Sequence, residues 1–193
     1  MLSESVWFEQ VDTALVNFIK SKIVLTNDSG LRYAVPTTVR KPDEDFKVER
    51  YPSITVYNTS SRFAEERYDR ESKILERNAE NIQVILEEPA LPYDLFYNID
   101  FWAKTQTEMN EMTRQWLSKV KKYFNLTVRD MSGVPRDCFV LQRGDLTKSD
   151  FISGYERTFH SIIVYRISVE LDERTQTITP MVIEPTTVND IGG

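Results

Sequence analysis

Apolar residues recur along the chain with two different periods, and the points where one period gives way to the other divide the sequence into elements. Trp7, Phe8, Val11, Ala14, Leu15, Phe18 and Ile19 are spaced by three and four, which gathers them on one face of a helix predicted over Glu4 to Lys22. Ser3 or Ser5 suits its N-cap, a hydroxyl accepting from an otherwise unpaired first-turn amide. The turn cluster Asn27-Asp28-Ser29-Gly30 ends this unit, and Leu31 to Val35 suits a short strand before Pro36. A polar loop is expected from Pro36 to Arg50. A strand follows over Tyr51 to Tyr57, with Pro52 near its start, where a missing amide is tolerated.

Period two takes over next. Ile82, Val84 and Leu86 alternate in one predicted strand, and Tyr93, Leu95, Tyr97, Ile99 and Phe101 in the next, with Glu87 to Pro92 as a hairpin-like connection. Phe96 and Trp102 fall on the opposite face, so that face is expected to be partly covered too. The helical period returns at Thr105-Gln106-Thr107-Glu108, a capping box. A helix from Thr105 to Phe124 would bury Met109, Met112, Trp116, Val120 and Tyr123, and its lysines at 119, 121 and 122 complement the negative end of the helix dipole. Strands are expected at Leu126 to Val128 and Phe139 to Leu141, a loop over Arg143 to Tyr155, and a long, central strand from Phe159 to Leu171. One more strand fits Ile178 to Ile183. The sum is an α+β fold: a single, mainly antiparallel sheet with an N-terminal helix and a central amphipathic helix packed on one face. Residues 1–184 are expected to form one domain, with 185–193 a polar C-terminal tail.

Asn58 to Asn81 breaks the pattern. Eleven of the residues from Arg62 to Glu80 are charged, with both signs interleaved, and such a stretch buries little apolar surface by itself. Two readings stand side by side: a solvated excursion, partly helical around Ser72 to Ala79, and an arm that docks on a partner through salt bridges. The second makes Arg62, Glu65, Glu66, Arg67, Arg70, Glu71, Lys73 and Arg77 a candidate assembly surface.

Composition changes the picture mainly by exclusion. A net charge of −6 argues against a dedicated nucleic-acid binder, which needs clustered Lys and Arg to neutralise phosphates. The single cysteine, Cys138, sits in an apolar run and reads as a buried thiol; it rules out an intrachain disulfide and a multi-cysteine metal site. His160 is the only histidine and lies within a strand, where an ordinary structural role outweighs a catalytic one. Asp43-Glu44-Asp45 lacks the glycine and spacing of a calcium loop, and no glycine-rich phosphate loop is present. No catalytic, cofactor-binding or metal-ligating residue is therefore assigned and no cofactor is expected. No apolar run is long enough to cross a bilayer, and the first residues lack a secretory signal, so a cytoplasmic protein is expected.

Three stretches together resemble the tail-terminator and tail-completion (neck) proteins of tailed bacteriophages: Pro52 to Tyr57 after an N-terminal helix, Tyr93 to Trp102 running into the capped helix, and Gly154-Tyr155-Glu156-Arg157 ahead of the long strand. The order helix, strand meander, helix, closing strands covers about residues 1 to 172. The resemblance implies a virion protein of a contractile-tailed phage or phage-like particle. Such a protein forms a ring, usually a hexamer, that caps the tail tube, meets the sheath and joins the tube to the neck connector. DNA would pass through the lumen without specific binding, and the charged excursion and C-terminal tail would be the candidate arms. Another neck, head-completion or baseplate component, a monomeric peptide-binding adaptor, and an enzyme with a carboxylate site remain as alternatives.

Overall fold

The computed structural model describes residues 4–27, 29–40, 50–68, 73–78, 83–87, 91–129, 133–153, 156–171 and 176–180. The chain divides into two compact units, one of Met1–Ala64 with Pro92–Leu171 and one of Glu65–Leu91 with Asp172–Gly193.

In the first unit, helix α1 (Glu4–Lys22) buries Val11, Leu15, Val16 and Ile19. Strand β1 (Val24–Thr26) then turns through Gly30, at φ 79°, to pair antiparallel with β2 (Arg32–Ala34). Glycine meets that positive φ without the steric cost a Cβ would impose. Strand β3 (Thr37–Val39) follows within the region expected to be loop, and pairs in parallel with β4 (Ser53–Phe63). β4 outruns the expected strand by six residues. A register shift between Asn58 and Ser60 lets it stay paired with β7 (Leu91–Ala103) as far as Phe63 opposite Tyr93.

Helix α2 (Gln106–Lys119) starts from the capping box, with the Glu108 amide donating to the Thr105 hydroxyl and the Thr105 amide donating to the Glu108 carboxylate. It ends five residues earlier than the sequence suggests, because Val120 is already extended and Lys121 to Lys122 turn the chain into β8 (Tyr123–Arg129). Tyr123 therefore leaves the helix stripe: it is 63% exposed. β9 (Pro135–Gln142), β10 (Thr147–Ser153) and β11 (Glu156–Leu171) complete the unit. β10 occupies the region expected to be a loop, and pairs antiparallel with the first half of β11.

The resulting seven-stranded sheet runs β3-β4-β7-β11-β9-β8, with β10 also on β11. Alternation sorts its side chains. Ile54, Val56, Leu95, Tyr97, Ile99, Phe101, Val140, Ile163, Tyr165, Ile167 and Val169 are buried on one face, at about 1.5 to 3 kcal/mol of transfer free energy for each large apolar side chain. Both helices lie on this face. Trp116 of α2 meets Phe101 and Tyr165 edge-on, at centroid distances of 5.4 and 5.9 Å. Phe18 of α1 stacks on Phe124, and Asp12 accepts from the Tyr97 hydroxyl at 2.6 Å.

The second unit contains β5 (Lys73–Asn78), β6 (Gln83–Glu87) and β12 (Gln176–Pro180), antiparallel in the order β12-β6-β5. Two expectations change here. Residues 73–78 are a strand where the sequence suggests a partial helix, since β6 offers a ladder that an isolated charged segment lacks. β6 and β7 do not form a hairpin, because each pairs with other strands. The α+β class stands, with the described strands in three sheets where one was expected.

Candidate assembly surface

Helix α2 is fixed to the end of α1 by polar contacts. Gln115 donates to the Val24 carbonyl at 2.6 Å and accepts from the Val24 amide at 3.0 Å, pairing both polar groups of that residue's backbone. Lys119 donates to the Lys22 carbonyl at 2.7 Å, satisfying one of the unpaired carbonyls at the end of α1. Hydrogen bonds from Arg114, then Gln115, hold the Glu111 carboxyl down at about 2. Met109, Met112, Trp116 and Val120 are buried, Val120 as the C-cap.

The opposite face of the sheet is mixed, with Trp102, Ile162 and Val164 half-buried and Asp94 and Asp100 buried. His160 of β11 donates or accepts at 3.0 Å with Asp100 of β7 and at 2.9 Å with its cross-strand neighbour Ser149 of β10. Trp102 stacks on the imidazole at 4.0 Å and donates to Thr55. Farther along, Asp94 accepts from Ser168 and Arg166. These bonds tie neighbouring strands across a face that helices do not cover. The sequence shows the alternation but not the partners, which lie 60 and 74 residues apart.

At one edge of the sheet, β8 pairs with β9 alone among the described strands. Cross-strand register puts Tyr123 opposite Leu141 and Asn125 opposite Phe139, so Tyr123, Leu141 and Phe139 share one face. Phe139 is 44% exposed, and Val134 in the connecting turn is also exposed. Lys121 and Lys122, both exposed, enter the strand. A strand paired on one side only, with aromatic side chains beside it, is a template for another chain. The other edge, β3, is three residues long and carries the exposed Val39. Sequence reasoning misses β8 as a surface because helical spacing assigns Tyr123 to the helix.

The surface read from the sequence is divided. Arg62 is exposed on β4 in the first unit, whereas Glu65, Glu66 and Arg67 form an exposed 3-10 turn in the second. Lys73 and Arg77 lie on β5, in register with Glu87 and Val84 of β6. Arg70 and Glu71, like the tail at 185–193, lie outside the described residues.

Cys138 is buried, and that burial, reinforced by Asp137 and Glu170, pushes its thiol up to about 11. Among the described residues no group of three or more His, Cys, Asp or Glu is placed to hold a metal ion, and no helix is long and apolar enough to cross a membrane.

No family model matches the chain and no curated protein is similar to it. Among the solved structures, it is similar to the sheath/tube terminator of an extracellular contractile injection system, PVC, in its extended state. The TM-score is 0.42 at 10% identity, over 95% of this chain and 64% of that one. This chain thus spans a little under two thirds of the length of that protein.

Proposed function

We propose that the chain is a non-enzymatic structural protein of a phage-type contractile tail, a ring-forming terminator that caps the tail tube and joins it to the neck. The observation that carries this reading is the β8 edge, which no described strand but β9 pairs, with exposed Tyr123 and Phe139 beside it, in a chain whose elements follow the order helix, strand meander, helix, closing strands. A terminator must satisfy the contacts of the last tube subunit and present a different surface beyond it. Unpaired strand edges and exposed aromatic residues supply such contacts without catalysis. The ring is a hexamer around a lumen through which DNA passes unheld, a path that a chain of net charge −6 leaves free of strong phosphate binding. Assembly takes place in the host cytoplasm, and the finished ring stays with the virion.

The test is tube growth. Purified protein added to polymerising tail tubes should bind one end and stop elongation, seen as a narrow length distribution in electron micrographs. Tubes that grow on unchanged would reject the reading, and a stable monomer that captures extended peptides through β8 would favour the adaptor.

A further inference from the structure

Backbone alternation fixes which groups of β8 face outward. The Gln142 amide donates to the Lys122 carbonyl at 2.7 Å, in the register that sets Tyr123 opposite Leu141. Bonded and non-bonded pairs alternate along an antiparallel ladder, so Lys122, Phe124, Leu126 and Val128 direct their amides and carbonyls at β9. Those of Tyr123, Asn125 and Thr127 point the other way, where no described strand reaches them. The neighbouring ladder agrees: the Arg143 amide donates to the Val164 carbonyl of β11, which leaves the even-numbered residues of β9 for β8. Charge along the edge is graded. Lys121 and Lys122 stand exposed at its start, with exposed Lys119 at the end of α2 and exposed Arg143 just past β9. Met112 to Arg129 contains no acidic residue. The exposed acid of this strand pair, Asp137, lies at the far end, opposite Thr127, and accepts from its hydroxyl. Lysines set along an edge discourage pairing, but these precede the strand, and Tyr123 to Val128 carry no charge. Arg129 is turned back, its guanidinium donating to the Gly133 carbonyl.

We infer that β8 receives an extended segment of a partner protein as an added strand, with apolar side chains beside Tyr123 and its acidic end beside Lys121 and Lys122. The inference deepens the terminator reading and rests on it only for the partner being a component at the end of the tail. Strand addition draws affinity from main-chain hydrogen bonds and specificity from the side chains alongside, and the edge offers both. Its lysines select a carboxylate-bearing strand, set which end of that strand lies at Tyr123, and disfavour a basic one. A nucleic acid fits less well, because phosphates only accept and would leave the outward carbonyls of Tyr123, Asn125 and Thr127 unpaired. A second β8 fits less well too: an antiparallel pair centred on Asn125 would set Lys121 of each copy opposite Arg129 of the other, like charge against like.

The experiment is fluorescence anisotropy on the full chain at low ionic strength, with circular dichroism as the control for folding. Two labelled peptides alternate threonine and valine, one ending in a run of glutamates and the other in a run of lysines. Wild type should bind the acidic peptide about tenfold or more tightly than the basic one, and salt should narrow the gap. K121E/K122E should reverse the preference. Asn125→Pro removes an outward amide that β9 does not use, a change an edge strand tolerates, and should abolish binding while the spectrum stays that of wild type. K121E/K122E alters only exposed side chains, so it keeps the test decisive if the proline unfolds the strand. Equal binding of both peptides, an unchanged preference in K121E/K122E, or a folded Asn125→Pro variant that binds like wild type would each overturn the inference. So would duplex DNA that outcompetes the acidic peptide, which would assign the edge to nucleic acid, or a wild-type oligomer that Asn125→Pro splits into monomers, which would assign it to a second copy. Acidic peptide bound by a chain that leaves tubes uncapped would keep this contact and favour the adaptor over the terminator. Tubes capped by a chain that ignores the peptide would do the reverse.

Discussion

Replacing Trp116 by alanine removes the largest fully buried side chain among the described residues, which is 1% exposed where α2 meets the sheet. Large-to-small changes of this kind cost about 3 to 5 kcal/mol, combining lost transfer free energy with the cavity left behind. Three features place this site toward the upper end. The indole makes edge-to-face contacts with both Phe101 and Tyr165, each worth about 0.5 to 1.5 kcal/mol beyond the area buried. Its Nε1–H donates to the Tyr165 hydroxyl at 3.2 Å, and that hydroxyl, pushed up to about 12 by burial, would lose its donor in a site closed to water. The surrounding side chains come from both a helix and a sheet, which limits collapse into the hole. The assay is equilibrium urea unfolding followed by far-ultraviolet circular dichroism, with the slope against denaturant checked for constancy. A loss of about 5 kcal/mol is expected, and Trp116→Phe should recover roughly half of it. A loss below about 1 kcal/mol would refute the packing of α2 on this face.

Gln115→Leu keeps most of the volume but strips the Val24 amide and carbonyl of their partners; unfolding free energy should fall by about 1 to 3 kcal/mol, and hydrogen exchange at Val24 should quicken. Asp12 is raised above the usual carboxylate range by burial, with the Tyr97 hydrogen bond opposing and Glu9 adding to the rise. Its charged form is thus disfavoured in the fold, and stability from this group is highest below pH 3.8 and falls as pH rises through its folded pKa. Asp12→Asn, which keeps an acceptor for Tyr97, should raise the melting temperature at neutral pH, with the advantage shrinking as pH falls toward the ordinary carboxylate range; a lower melting temperature at neutral pH would contradict this. Glu111 behaves oppositely: its contribution is present above pH 4.5 and fades as pH falls toward about 2, so Glu111→Gln should flatten the acid limb of the stability curve there. A fluorophosphonate probe should leave Ser149 unlabelled at a concentration that labels a serine hydrolase, because the Ser149–His160–Asp100 chain is taken to join strands; selective labelling lost in S149A would reverse that assignment.

The parts of the fold written in local periodicity were legible. The α1 stripe, the Thr105 capping box and the alternation of β7 and β11 each follow from spacing alone, since one period or cap specifies the element. What was lost depended on which neighbouring segment each stretch pairs with, even where that partner is close in sequence. β10 reads as a polar loop until the first half of β11 is available to pair with it. Lys73–Asn78 looks helical while its charges are considered alone, and becomes a strand beside β6. Tyr123 keeps helical spacing from Val120, yet the backbone has already turned extended at Val120, a change that no side-chain pattern announced. The same limit applies to the surface. The charged segment was visible in composition, whereas the β8 edge needed the sheet order to show that nothing described pairs with it beyond β9.

The central claim, a place at the end of a tail tube, is tested most directly by locating the protein in the particle. Particles purified from cells making the chain with a small epitope tag would be labelled with gold-conjugated antibody and imaged. The account predicts label at one end of each tail, where tube meets neck. Label along the whole tube, or none on intact particles that contain every other tail component, would contradict it.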